Sequence, residues 1–242
     1  MLRAIVRGLI GGPFYLDEFL DQAKFILTAC FVPLLLTGGG WGVIVSLQAG
    51  HFFKVTSSGQ LLGGFSVMAN VREFAPTATA LMVAAVAGTA ITADLGARTV
   101  RQELEAMSVM GMSNIRFIVV PRFLAMVVMT ALYNLPMVAF TVAAGYCTAV
   151  YLIGVNAGAF LSTFWTQGTL LDLYGGEIKC MIFGGLVATV ACYKGITARG
   201  GAEGVARAVH SSVVTNFVAI LAINYVYTAT ILAAAHSNNV LR

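Results

Sequence analysis

Uncharged runs of about twenty residues, separated by short segments that hold almost every charge, set the pattern of this chain. Residues 26–47 carry no charge, and at 1.5 Å per residue they reach across a hydrocarbon core about 30 Å thick. That run predicts the first span. The polar stretch 48–60, with His51, Lys54, Ser57 and Ser58, reads as an external loop. The next apolar run, 61–93, would measure about 50 Å as one helix, and Arg72 and Glu73 interrupt it. Proline is tolerated in the first turn of a helix, where its missing N–H has no partner to lose. Pro76 therefore places the second span at 74–93, with 61–71 a partly embedded approach helix. Residues 122–153 contain no polar connector, which predicts one long tilted helix, bent at Pro136. Segment 154–176 mixes aromatic with polar residues, as at an outer interface. Residues 177–193 and 213–235 complete the set, with 194–210 a polar connection between them. The fold class expected is an all-α membrane protein of about five transmembrane helices.

Ahead of the first span, residues 1–25 alternate apolar positions with Arg3, Arg7, Asp17, Glu18, Asp21 and Lys24 around Gly11-Gly12-Pro13. Such a segment suits a membrane surface and predicts an N-terminal interfacial helix, leaving 26–242 as one transmembrane domain. Composition agrees: 59% of residues are hydrophobic, 10% are charged and the mean hydropathy is +0.87, against roughly 25% charged in a soluble domain. A net charge of +4 would suggest nucleic acid in a soluble protein, but here its placement reports orientation. Basic residues gather at the N-terminus, in 94–122 and in 194–210, while Lys54, Arg72, Lys179 and Arg242 lie on the other side. By the positive-inside rule the N-terminus and both charged connections are cytoplasmic, and five spans put the C-terminus outside.

The segment 94–122 holds four arginines and three carboxylates in an otherwise nearly uncharged chain. Within it Val100, Leu104, Met107 and Gly111 recur at helical spacing, with Arg101, Gln102, Glu105 and Ser108 elsewhere. This predicts a short amphipathic cytoplasmic helix over 99–111, and the carboxylates and flanking arginines favour a protein partner over a resting place on lipid. Arg72-Glu73 is the other notable feature, because charge at membrane depth usually has a role. Lys179 is expected to snorkel outward. Cys30, Cys147, Cys180 and Cys192 lie in apolar runs without pair spacing and read as buried small hydrophobes. His51, His210 and His236 have no ligand spacing, so no metal is expected.

The run REFAPTATALMVAAVAGTAITADLGARTVRQELEAMSVMG, continuing to VVPRF, closely resembles the MlaE/YrbE family, the permease subunits of ABC lipid transporters that work with MCE proteins. The likeness extends from about Leu47 to Ala235 and includes Arg72-Glu73, Pro76, Gly88, Ala93, Leu95-Gly96, Glu103, Ala106, Gly111 and Pro121-Arg122. ADLGAR, with GGAEGV at Gly200 to Val205, is most similar to the actinobacterial YrbE branch. The resemblance implies a coupling helix over 98–111 seated in a groove of an ATPase, with Arg98, Arg101, Gln102, Glu103, Glu105, Met107 and Gly111 as its contact residues. It further implies a second permease (a heterodimer favoured over a homodimer), two ATPase subunits, and MCE proteins on the external face. Charge at membrane depth separately makes Arg72 and Glu73, with Pro76, a candidate lipid cavity or gate, the alternative being a structural anchor at the interface. One departure is Gln102-Glu103, where many relatives carry a Glu-Glu pair.

No G-x-x-x-x-G-K-[ST] occurs, and the glycine-rich stretches near Gly38, Gly63 and Gly200 lack the following lysine. ATP is therefore expected on a separate chain, with no cofactor and no catalysis in this one. Two other readings stay open: a self-contained secondary carrier or channel for hydrophobic solutes, and a scaffold that only anchors MCE proteins. Against the carrier, no internal repeat is evident and the charges collect at the rims.

Overall fold

The computed structural model describes residues 16–240, and every regular element among them is helical. Seven helices follow in order: α1 (Leu16–Val55), α2 (Gly59–Val100), α3 (Glu103–Val109), α4 (Ile115–Ile153), α5 (Ala157–Gln167), α6 (Leu170–Ile196) and α7 (Gly201–Val240). Of these, α1, α2, α4, α6 and α7 are long and apolar enough to cross a membrane. The protein is an all-α membrane protein, as its pattern of apolar runs requires.

The helices outrun the uncharged stretches. Residues 48–55, expected to be loop, are the last turns of α1, which ends only at Thr56–Ser58, where Ser57 takes a positive φ of 55°. Nothing in 48–55 breaks a helix, so polarity alone does not end one. At its other end α1 begins at Leu16, with Asp17 and Glu18 in the first turn, where a carboxylate complements the helix dipole. Residues 16–25 of the expected surface segment thus belong to the first spanning helix; residues 1–15 lie outside the described part. Similarly, α6 starts at Leu170 rather than 177, closed by a capping box between Thr169 and Asp172. The polar residues 201–210 form the first turns of α7, after Gly200 and Gly201 at φ of 95° and 68°.

The expected cut before Pro76 does not occur. α2 is continuous from Gly59, because it changes pitch instead of ending: Val67–Phe74 and Ala84–Gly88 are π-helical. The first π turn immediately precedes Pro76 and its ladder reaches five residues back, Ala75 N–H bonding Asn70 O. A wide turn accommodates the proline without stopping the helix.

In the bundle α4 packs between α1 and α6, α2 touches all four other long helices, and α7 lies on α2 and α6. Small residues set the spacing, as expected where lipid supplies no hydrophobic drive. A Cβ on Gly42 of α1 would collide with the Thr141 carbonyl of α4, and one on Gly184 of α6 would stand 2.8 Å from the Met126 carbonyl oxygen. Leu34, Val83, Met126, Phe183, Val187 and Ile220 lie in the core so formed. A second, small core of Ala49, Leu62, Ala149 and Phe160 seats α5 at one end. Cys30, Cys180 and Cys192 are buried as expected, but Cys147 is exposed on α4.

Candidate functional site

Two charged centres lie on α2, one around Glu73 and one around Asp94. Their separation of 21 positions along the sequence spans about 31 Å at 1.5 Å per residue, close to one hydrocarbon thickness.

At the first, the adjacent charges Arg72 and Glu73 point to different partners. Arg72 Nε meets Asp172 Oδ1 at 2.7 Å, and the same carboxylate accepts from the Thr169 N–H and hydroxyl, so one side chain caps α6 and ties it to α2. Glu73 accepts three hydrogen bonds: from Lys179 Nζ at 3.0 Å, from Asn224 Nδ2 at 3.2 Å and from the Thr228 hydroxyl at 2.8 Å. Asn224 in turn accepts from the Thr77 hydroxyl at 3.1 Å. Lys179, expected to reach outward, is instead 1% exposed. The reason lies in the partners available inside. Lys179 Nζ donates to the Arg72 carbonyl at 3.3 Å as well as to Glu73. The ammonium also lies 5.5 Å from the centre of the Tyr227 ring, whose hydroxyl donates to Gly175 O. Beside the cluster, Asn134 of α4 donates to Glu177 at 3.1 Å. Three helices therefore meet around Glu73: α6 joins α2 through a half-buried ion pair, and α7 joins it through two hydrogen bonds.

At the opposite end, the chain turns sharply out of α2. The expected helix over 99–111 is broken at Arg101-Gln102: α2 closes with Arg101 N–H on Ala97 O and Gln102 N–H on Thr99 O, and Gln102 adopts the left-handed conformation at φ 61°. Val100 therefore belongs to α2, and α3 covers only Glu103–Val109. Leu104 is buried beneath it, Met107 packs against the main core, and Asn114 Nδ2 clamps Leu104 O at 2.7 Å. Gly111, at φ 78° with open space around it, ends the turn. Arg101, Gln102, Glu103, Glu105 and Ser108 are exposed, as are Val109 and Met110. Arg101 and Glu103 form a loose 3.7 Å pair. Gln102 makes no capping bond with its side chain. Arg98 stands apart from this surface. It pairs with Asp94 at 3.2 Å, and Asp94 also receives Arg122 Nη2 at 2.6 Å.

Residues 19–230 match the family described as Permease MlaE. The chain belongs to the MlaE permease family. A probable ABC transporter permease protein of Rickettsia conorii is 29% identical over 230 residues, 93% of this chain and 87% of the relative. A probable ABC transporter permease protein of Synechocystis is 28% identical over 206 residues, 85% and 78% of the two chains. The intermembrane phospholipid transport system permease protein MlaE of Haemophilus influenzae is 27% identical over 231 residues, 93% and 88%.

In this MlaE permease the expected site residues fall into separate groups. Arg72, Glu73 and Pro76 share one centre, though Arg72 and Glu73 do not pair with each other. Arg101, Gln102, Glu103, Glu105, Met107 and Gly111 form the elbow, whereas Arg98 faces the Asp94–Arg122 pair. Sequence reasoning missed Asp172, Lys179, Asn224 and Thr228. A signal for the last two was present, since Asn224 and Thr228 are polar residues four apart in an apolar run and so share a helix face.

Proposed function

We propose that this permease is the membrane-spanning subunit of an ATP-driven lipid transporter, and that α3 is where force from a separate ATPase enters it. The observation that carries the reading is the elbow. Leu104 and Met107 root a short helix in the bundle while Glu103, Glu105, Val109 and Met110 are exposed on its outer side, an apolar and acidic surface suited to a groove in a soluble protein. The excess of basic residues in its connections supports a cytoplasmic position for this end, where ATP is found. ATP would be held by two ATPase subunits, none of it by this chain. A second permease, more readily a YrbE-like partner than a second copy, would complete the membrane unit, with MCE proteins on the external face. The substrate class is lipid: one relative bears the name of a phospholipid transport permease, and the interior offers apolar side chains with charge confined to the rims. Import from the external assembly is the direction we favour, and the Glu73–Lys179 centre is the gate that must part or move when helices α2, α6 and α7 shift.

Co-purification tests this. Glu103→Arg reverses charge on an exposed position, so it leaves the fold intact, and the expected result is loss of the ATPase and of ATP-dependent lipid transfer. Full ATPase retention, or lipid transfer by the permease without ATP, would instead support a self-contained carrier; function that survives loss of ATP hydrolysis would support a scaffold.

A further inference from the structure

Side-chain hydrogen bonds sort the long helices into two groups. In the first, α2, α6 and α7 are joined by the Arg72–Asp172 and Lys179–Glu73 pairs and by two threonines. The Thr92 hydroxyl lies 3.3 Å from Ala191 O and 3.1 Å from Ser212 Oγ, and the Thr99 hydroxyl lies 3.3 Å from Gly195 O. In the second, α1 and α4 are joined by the Tyr133 hydroxyl, which lies 3.0 and 2.7 Å from the carbonyls of Ile26 and Leu27, by Arg122 beside Glu18, and by the close approach of Gly42 to the Thr141 carbonyl. Two side-chain hydrogen bonds cross between the groups, Arg122 to Asp94 at the elbow end and Asn134 to Glu177 further along α4.

The elbow helix α3 follows the first group in sequence and precedes α4, and its two joints are built differently. At Arg101-Gln102 the chain is held by backbone bonds alone: Gln102 sits at a positive φ of 61°, a conformation that costs energy in a residue with a Cβ, and its side chain makes no capping bond. The joint with α4 is cross-braced. Met112 N–H returns to Met107 O at 3.0 Å, and Asn114 Nδ2 reaches ten positions back to Leu104 O at 2.7 Å. Asn114 stands immediately before Ile115, where an asparagine ordinarily caps the helix it begins, yet its side chain makes no such bond to α4. Its Oδ1 is left buried without a donor, an unfavourable arrangement for a residue that only starts a helix.

We infer that Asn114 is a positioning residue that fixes α3 to α4, so that force entering at α3 drives α4 together with α1 while α2, α6 and α7 stay together as one body. Gln102 is then the pivot. The surfaces that shift are those of α4 against α2 and α6, and the Glu73 centre, which lies wholly within the first group, moves as a unit and does not part. The inference rests on the reading of α3 as the entry point for force and adds which helices that force moves.

The test uses the permease in complex with its ATPase, in nanodiscs. Nitroxide labels are placed through Leu36→Cys on α1, Leu132→Cys on α4 and Ile178→Cys on α6, all exposed positions, in a Cys147→Ala background that removes the exposed native thiol. Pulsed electron paramagnetic resonance reads the distances without nucleotide and with ATP and vanadate. The 132–178 distance is expected to change and the 36–132 distance to stay fixed. Asn114→Leu keeps the volume and removes the donor; it should retain the ATPase and its hydrolysis, lose the distance change, and lower lipid transferred per ATP roughly tenfold. Asn114→Gln keeps an amide donor and should recover coupling, which a purely structural role would not require. A fixed 132–178 distance, a change in the 36–132 distance, or an unaltered lipid-to-ATP ratio in Asn114→Leu overturns the inference. Loss of the ATPase from Asn114→Leu also overturns it, by making Asn114 a docking contact. A wild-type permease that holds no ATPase fails before any label is read; that outcome overturns the proposed function and this inference with it, whereas the others leave the proposed function standing.

Discussion

Removing the ammonium of Lys179 is the sharpest probe of how the bundle is held. Lys179→Met keeps the length and apolar stem but leaves Glu73 with only Asn224 and Thr228 as donors, and takes one donor from the Arg72 carbonyl. Breaking a buried pair by deleting one partner costs about 3–5 kcal/mol. Glu73 is 35% exposed at its side chain, so water takes up part of the orphaned charge, and a loss of about 2–3 kcal/mol is expected. For a chain of this size that corresponds to a fall in apparent Tm of roughly 5–10 °C. Glu73→Gln combined with Lys179→Met leaves no unpaired charge, so the double variant should be more stable than the sum of the singles by about 1.5 kcal/mol. Trp41 provides the assay, because its ring stacks on Phe74 at 5.1 Å, one residue from Glu73. Its fluorescence, followed on heating in a Trp165→Phe background, reports unfolding at the site. Additive effects in the cycle, or a fall of less than about 2 °C for Lys179→Met, would show that the pair does not hold α2 and α6 together.

Other substitutions test separate links. Gly42→Ala drives a Cβ into the Thr141 carbonyl and should cost about 1–3 kcal/mol, whereas Gly39→Ala meets nothing within 4 Å and should be neutral or stabilising by up to about 1 kcal/mol; paired thermal melts decide whether α1 and α4 approach where described. Gln102→Gly should be neutral to slightly stabilising, because glycine accepts the positive φ of 61°, while Gln102→Val should destabilise the elbow by about 1 kcal/mol or more. Proteolysis between α2 and α3 would report the difference. Asp172→Asn keeps an oxygen for the Thr169 cap and loses only the partly exposed Arg72 pair, under about 1 kcal/mol; Asp172→Ala loses both, roughly 1–2 kcal/mol. Equal melts for the two variants would mean that the cap contributes nothing.

The apolar runs disclosed the spans because lipid demands about twenty uncharged residues per crossing, but they could not disclose helix ends. A helix stops at a breaker or a cap, and 48–55 and 201–210 contain polar residues without one, so α1 and α7 run on past the rims. The elbow was legible in part: Leu104 and Met107 share an apolar face, while the break at Gln102 depends on a left-handed backbone at a residue that carries no turn signal. The Glu73 centre was legible as charge at depth and illegible as a contact. Pairing depends on which way each helix faces, and each π turn inserts a residue that rotates everything beyond it by about 100° relative to an ideal helix. Spacing rules applied along α2 therefore lose register at 67–74, the turn that carries Arg72 and Glu73 themselves. Lys179 could be placed at a rim by counting, but its inward turn follows from two acceptors on another helix, the Glu73 carboxylate and the Arg72 carbonyl, 106 and 107 positions earlier in the sequence. Replacing Glu73 by Gln removes the charged acceptor and should loosen the hold on Lys179, raising its accessibility to an amine-reactive reagent. Unchanged labelling of Lys179 in Glu73→Gln would refute the link.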